Sequence, residues 1–215
     1  MEGRLRVFEQ LKWLGRPFAN VLQVGAHIGQ EITAFQAYGV DWALMVEPQD
    51  EAFRKLSKRA ARREHFIAVQ ALCSNEDGVE CDFYVASNDG ASSSLMRPTR
   101  HLQEYPKITF PDRVKMTSTT LDSLVMREAD RRPELDPACF DTLLIDVQGA
   151  ELKVLMGATR LLAGIRQVFT EVSYDLYENG ATLDQLQGFL GAFGFQLYYL
   201  RMNPQGWGDG LFVRT

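Results

Sequence analysis

The sequence predicts an α/β fold: a mostly parallel sheet with helices on both faces, finished by an antiparallel hairpin at the C-terminus. Three observations carry this. Apolar, strand-like runs alternate with helical periodicity from Val21 to Phe193, which demands parallel strands joined by right-handed crossovers. VLQVGAHIGQE (Val21–Glu31) followed by ALMVEP (Ala43–Pro48) reads as a buried strand, a glycine turn, a helix and a second strand with an acid at its tip. The chain then ends strand–turn–strand, which puts a hairpin on one sheet edge and points away from a plain dinucleotide fold.

The elements follow in order. Residues 1–18 read as a leading helix, because Val7, Phe8, Leu11 and Leu14 recur at helical spacing within Arg4–Leu14. Val21–Gly25 is the first strand; Ile28, Ile32 and Phe35 then mark one face of a helix that Gly39 stops. Ala43–Glu47 is the second strand, broken by Pro48. Asp50 is placed to cap the next helix, with Phe53, Leu56 and Ala60 turned inward. Phe66–Leu72 reads as a third strand. Val79–Ala86 alternates without a long helix before it, so it reads as an added antiparallel element.

Asn88–Arg113 is the least regular stretch, with Gly90, Ser92–Ser94, Pro98, Pro106 and Pro111. Its composition offers few buried anchors, and it reads as a lid-like insertion over a ligand. Thr117–Leu121 returns to strand and Asp122–Ala129 to helix. Phe140–Val147 is a central strand, followed by a helix with Leu152, Leu155, Met156, Thr159 and Leu162 as its core stripe. Gln167–Ser173 is another strand. Thr182 and Gln185 form a capping box for a helix with Leu186, Phe189, Leu190 and Phe193 inside, closed by Gly194. Phe195–Met202 and Leu211–Arg214 make the terminal hairpin.

Composition fits a single domain over residues 1–215: hydrophobic residues are 46% and charged residues 24%, an ordinary globular mix. The net charge of −5 argues against nucleic acid as an obligatory partner, which would need clustered Lys and Arg. The cationic run Lys55–Arg63 lies on an amphipathic helix and reads as a solvated face. Cys73, Cys81 and Cys139 have no metal-type spacing, so a reducing compartment fits and a zinc site does not. No apolar run approaches the ~20 residues that span a bilayer, and the N-terminus lacks a signal-peptide core. The expectation is a cytoplasmic protein with no membrane partner; its oligomeric state is not legible.

Several residues stand out as site candidates. Gly25 suits close approach of backbone to ligand, and Gly29 suits tight helix–strand packing. Glu47 lies 22 residues beyond Gly25, near the offset of roughly 20 at which such a unit supplies an acid to a ribose diol. The expected ligand is therefore an adenosine-containing cofactor. His27 stands where a dinucleotide fingerprint has its middle glycine, leaving little room for a pyrophosphate. Leu72, ending the third strand, is placed for backbone contact with adenine. Asp146 interrupts the apolar run of Leu143, Leu144, Ile145 and Val147 at a strand's carboxyl end, where ligands bind in open α/β sheets. A carboxylate there is costly unless paired or used. Glu171 holds the equivalent end of the next strand. Two carboxylates make a divalent cation possible, but no third ligand is evident, so a metal is not favoured. His101 is a candidate base or a plain surface histidine. Ser92–Ser94 are candidates to touch ligand, and Tyr174, Tyr177, Tyr198 and Tyr199 to wall an acceptor pocket.

VLQVGAHIGQE, MVEP, ALCSNEDG, SSSL, TTLDSL, IDVQGAELKVLMGA and TEVS, in that order from Val21 to Ser173, resemble the FkbM-type family of S-adenosylmethionine-dependent methyltransferases. The resemblance implies a Rossmann-like class I methyltransferase fold with a seven-stranded sheet. It implies S-adenosylmethionine as cofactor and O-methylation of a hydroxyl on a small-molecule or glycan acceptor. The implied cofactor-binding residues are Gln23, Gly25, Ala26, His27, Glu47, Pro48, Leu72, Ser94, Asp146 and Val147, the implied catalytic residues Asp146 and Glu171. The family usually has aspartate at the position of Gln23, commonly asparagine at His27 and often glutamate at Gln148. Gln23 and His27 can hydrogen-bond the methionine end, without the fixed charge that favours its ammonium. Two other readings stay open. An NAD-linked oxidoreductase shares the βαβ start and Glu47 but should carry the middle glycine. A non-catalytic nucleoside-binding module follows if Gln23 and His27 mark a decayed pocket.

Overall fold

A computed structural model describes residues 18–215; the leading helix expected at Arg4–Leu14 lies outside them. In chain order the elements are β1 (Asn20–Val24), α1 (Ile32–Ala37), β2 (Trp42–Val46), α2 (Asp50–Ala60), β3 (Phe66–Val69), β4 (Leu72–Cys73), β5 (Glu80–Val85), α3 (His101–Glu104) and β6 (Asp112–Thr119). There follow α4 (Leu121–Arg131), β7 (Thr142–Ile145), α5 (Glu151–Met156), β8 (Gln167–Ser173), α6 (Leu183–Ala192), β9 (Phe195–Met202) and β10 (Trp207–Arg214).

The main sheet has seven strands in the order β3-β2-β1-β7-β8-β10-β9. The first five are parallel, and β10 runs antiparallel to both β8 and β9. Side chains alternate between the two faces, as the pleat requires. Leu22, Val24, Leu44, Ile145 and Val168 share one core with Leu124, Val154, Leu186 and Leu190 from α4, α5 and α6. Val21, Ala43, Met45, Leu144 and Phe169 share the other with Phe35 and Leu56 from α1 and α2. Each such side chain contributes about 1.5–3 kcal/mol on burial, so a one-residue slip of any central strand would be expensive.

That register places the site. Val24 is level with Val46 on one side and Ile145 on the other, so Gly25, Glu47 and Asp146 leave three adjacent strands together. Ile145 is level with Thr170, which brings Glu171 beside Asp146. The chain reverses its strand order between β1 and β7, and a ligand crevice forms at such a switch point.

Five expectations about elements need correction. The third strand is split: β3 stops at Val69, and Leu72–Cys73 pairs instead with Ser118 and Thr119 of β6, in a second sheet of order β4-β6-β5. Gln70 makes the break, its amide turned to Asp50 and the Pro48 carbonyl. β6 begins at Asp112, before Thr117, because its first half pairs antiparallel with β5; β10 likewise begins at Trp207, before Leu211, paired with Ser173. Asp50 opens α2, but Gln49 is its N-cap and sends its side chain to Glu47. The core stripe after β7 runs through Val154, Leu155, Ala158 and Leu162, leaving Met156 and Thr159 exposed. The buried carboxylate of Glu151, first residue of α5, sets that rotation by binding the preceding loop.

The 88–113 segment is better anchored than its composition suggests. Ser94 bridges to Tyr84, and α3 is held by Thr99 and His101 N–H groups donating to the Leu176 carbonyl at 3.0 and 3.1 Å. Met96 and His101 are buried. The partner that holds α3, Leu176, lies too far along the chain for local composition to reveal.

Candidate active site

A cleft enclosing about 850 Å³, its open mouth included, lies over the carboxyl ends of β1, β2 and β7. Gly25, His27, Glu47, Pro48, Leu72, Asp146 and Val147 line it. Gly25 has φ +81, and its N–H and that of Ala26 both donate to the Val46 carbonyl at 3.0 and 2.9 Å. A Cβ at Gly25 would fall 1.8 Å from the Asp146 carbonyl oxygen, so only glycine lets β1 and β7 approach here. His27 also has positive φ, at 47°, and its ring is fixed from two sides. Its Nε2 lies 2.8 Å from the Asp89 carbonyl, which can only accept, so Nε2 carries the proton. Nδ1 then accepts from the Gln30 amide at 2.9 Å. Gln30 lines the cleft, and its buried Oε1 has no hydrogen-bond partner.

Glu47 is 2% exposed, and burial pushes its carboxyl above the usual carboxylate range. Backbone N–H groups of Gln49 and His27 work the other way, at 3.0 and 2.8 Å, joined by the Gln49 amide at 3.1 Å. The Gln49 amide also donates to the Gly90 carbonyl and accepts from the Ser93 hydroxyl. Glu47 is thus tied through one side chain to the inserted segment. Leu72, Cys73, Phe83 and Leu95 supply an apolar wall on that side.

Beyond Asp146 the chain turns sharply, with φ +57 at Gln148 and +99 at Gly149. Glu151 clamps this turn, accepting from the Val147 and Gly149 N–H groups at 3.3 and 3.0 Å. Burial pushes the Glu151 carboxyl up to about 7 against those donors. The Gln148 amide donates to Asp146 Oδ1 and to Glu171 Oε2, each at 2.8 Å, and its Oε1 accepts from the Tyr177 hydroxyl at 3.0 Å. A second cavity, about 490 Å³ with its mouth, opens beside Glu171 and is lined by His101, Tyr105, Ile108, Leu176 and Trp207. Ala91 and Gln148 line both spaces, so the two adjoin at these residues.

With this geometry in hand, the chain matches the methyltransferase FkbM domain over residues 23–197. It belongs to the FkbM methyltransferase family. A relative, the 2-O-methyltransferase NoeI of Sinorhizobium fredii, is 26% identical over 198 residues, covering 88% of this chain and 78% of its own. Magnesium protoporphyrin IX methyltransferase from Synechocystis PCC 6803, solved with S-adenosylmethionine, shares the fold at 11% identity and TM-score 0.52, covering 100% of this chain and 81% of that one. Its complex with S-adenosylhomocysteine gives 12% identity and TM-score 0.52, over 99% and 84%. The fold is thus the class I methyltransferase fold expected from the sequence, and the chain is a methyltransferase with S-adenosylmethionine as the cofactor of its family.

Within this family member the expected site residues divide. Gly25, His27, Glu47, Pro48, Leu72, Asp146 and Val147 come together on the cleft wall. Gln23 does not line it: buried in the sheet, it donates to Glu31 Oε2 at 3.0 Å. Ala26 is buried and does not line the cleft; its N–H donates to the Val46 carbonyl in the turn. Ser93 takes the place expected of Ser94, whose hydroxyl donates instead to the Gln148 carbonyl at 2.7 Å. Glu171 lines the second cavity, reached from Asp146 through Gln148. His101 is buried among Tyr105, Phe110 and Tyr177, not a surface histidine. Of the four tyrosines only Tyr177 reaches the site. Gln30, Gln49, Gln148 and Glu151 were not singled out as site residues; the Gln49 and Gln148 partners lie on other elements, while IDVQGAE carried a trace of the last two. Among the described residues no group of three or more His, Cys, Asp or Glu could hold a metal ion, and no helix is long and apolar enough to cross a membrane.

Proposed function

We propose that the protein transfers a methyl group from S-adenosylmethionine to a hydroxyl oxygen of a small metabolite or glycan, with Asp146 as general base. The observation that carries this is the position of Asp146, on the cofactor cleft and joined through Gln148 to Glu171 on the adjoining cavity. The oxygen acceptor follows the 2-O-methyltransferase relative.

The residues fit the cofactor. Glu47 would accept from the ribose hydroxyls, since a buried carboxylate with hydrogen-bonding oxygens at a strand tip suits a diol. Leu72, Cys73 and Phe83 would pack on adenine. Gln30, with its unpartnered Oε1, would accept from the ammonium, supplying a neutral contact where Gln23 is committed elsewhere. Bound in the cleft, the cofactor supplies a methyl already activated on a sulfonium, so alignment rather than activation is the protein's main task. Asp146 takes the hydroxyl proton as the new C–O bond forms and the C–S bond breaks, leaving a neutral thioether. Glu171 would orient the acceptor.

A screen of hydroxyl- and amine-bearing acceptors with methyl-labelled S-adenosylmethionine tests the proposal. Label on a hydroxyl compound is expected. Label confined to amines, or none despite tight S-adenosylhomocysteine binding, would overturn it.

A further inference from the structure

Gln148 is held more firmly than a loop glutamine beside a crevice has cause to be. Its carbonyl takes the Ser94 hydroxyl, and Glu151 grips the N–H groups on either side of it. Gly149 presses against Tyr177, where a Cβ would lie 2.9 Å from that ring's own Cβ. The orientation of the amide follows from its partners. Burial keeps Tyr177 a phenol, and its hydroxyl lies 3.0 Å from Oε1 and 3.1 Å from the Ser92 carbonyl, so it does not orient the amide by itself. The two carboxylates accept, so Nε2 faces them, and both of its hydrogens are used, one on Asp146 and one on Glu171.

Two carboxylates on neighbouring strand ends repel, and a donor placed between them eases that repulsion. A divalent cation would do this, at the cost of a metal requirement. An amide nitrogen does it without net charge.

We propose that Gln148 is a positioning residue for methyl transfer, its neutral amide standing between Asp146 and Glu171 in the place of a cation and holding one carboxylate to each cavity. The proposal rests on Asp146 acting as the base. It has a consequence for substitution. A glutamate oxygen in the place of Nε2 would lie about 2.8 Å from both other oxygens. Adjacent ligands of an octahedral cation with bonds near 2.1 Å stand about 3 Å apart, so Gln148→Glu should create a cation site.

The test compares wild type, Gln148→Glu and Gln148→Ala, each checked for folding by thermal melting and for S-adenosylhomocysteine affinity by calorimetry. Mn²⁺ alone is the probe. Wild type and Gln148→Ala should bind none, whereas Gln148→Glu should bind it and melt at higher temperature in its presence. With an acceptor from the screen, wild-type turnover should be indifferent to chelators. Both variants should lose kcat by at least about tenfold while KM and cofactor affinity stay within about threefold, since the orientation of the base is what has gone. In metal-free Gln148→Glu the acid limb of the rate profile should move up by about one pH unit, as a third carboxylate raises the base. Mn²⁺ binding by wild type, no Mn²⁺ binding by Gln148→Glu, or wild-type kcat in Gln148→Ala would each overturn the proposal. If no acceptor is found, the Mn²⁺ arm still decides whether the amide stands in a cation's place, so failure of the methyl-transfer reading is distinguishable.

Discussion

Glu47 and Asp146 are both carboxylates at the ends of buried strands, yet their surroundings suit them to different work. Glu47 has donors on both oxygens and is sealed by its neighbours, a binding arrangement. Glu47→Ala should weaken S-adenosylhomocysteine by at least about tenfold in calorimetry, since hydrogen bonds to charged groups contribute roughly 1.5–3 kcal/mol. Unchanged affinity in a folded variant would remove the residue from the site. Asp146 lines the cleft and is joined through Gln148 to Glu171 on the second cavity. Asp146→Asn keeps shape and hydrogen bonding but not basicity, so turnover should fall ~100- to 10,000-fold with near-normal cofactor affinity. A matching loss of affinity would make it a binding residue instead. Both were legible because each breaks an apolar run at a strand end, a local signal. Gln49, Gln148 and Ser93 were not, because their meaning comes from partners on other elements, such as Glu171 for Gln148 and Gln49 for Ser93.

At the scale of elements, what the sequence conveys is periodicity, and it does so well where one face meets one core. β8 and β9 match their expected spans, and the Thr182–Gln185 capping box is formed. Periodicity fails where a strand changes partners, as at Gln70, since both halves of Phe66–Leu72 are equally apolar. The second sheet offers a test of how α4 is started. The Ser123 hydroxyl and the Thr120 N–H hold the Asp77 carboxyl down at about 2, with further bonds from Thr119 and the Thr120 hydroxyl. The N-cap of α4 is Thr120, whose hydroxyl accepts from the Ser123 N–H, and Asp77 holds that cap in place. Asp77→Ala should therefore cost about 1 kcal/mol in urea unfolding at neutral pH, as disturbing a helix cap does. A depressed folded pKa means the contribution is complete above the ordinary value of 3.8 and is lost as pH falls through about 2. The gap between wild type and variant should narrow across that window; a gap constant with pH would mean the carboxylate's charge is not what steadies the Thr120 cap. The inserted segment gives a second test, by hydrogen exchange. The N–H groups of Ser94, Thr99 and His101 are bonded to other segments and should be protected with or without ligand. Ligand-dependent protection should be confined to 88–91, which touches His27 and Gln49. Equal gains throughout 88–113 would instead mean the whole segment closes as a lid.

For the molecule as a whole, the cleft is a joint. Gly25, Glu47 and Asp146 come from the main sheet, Cys73 and Phe83 from the second, and Gly90, Ser93 and Leu95 from the insertion. A ligand filling it contacts all three parts at once and favours the state in which they are assembled. Binding to the native state alone stabilises by about 2.7 kcal/mol at a ligand concentration 100 times Kd. For a domain of this size each kcal/mol moves Tm by about 2–4 °C, so saturating S-adenosylhomocysteine should raise Tm by about 5–10 °C. NADH should not. Its pyrophosphate needs the space that the His27 ring fills, and that ring is fixed at 2.8 Å from the Asp89 carbonyl and 2.9 Å from the Gln30 amide. Moving it would break both contacts and leave the Gln30 amide without its acceptor. His27→Gly removes the obstruction, so it should lose little of the S-adenosylhomocysteine shift and is the variant most apt to gain one with NADH. A rise in wild-type Tm with NADH, and none with S-adenosylhomocysteine, would mean that the glycine turn accommodates a dinucleotide after all and that His27 is not what decides the ligand.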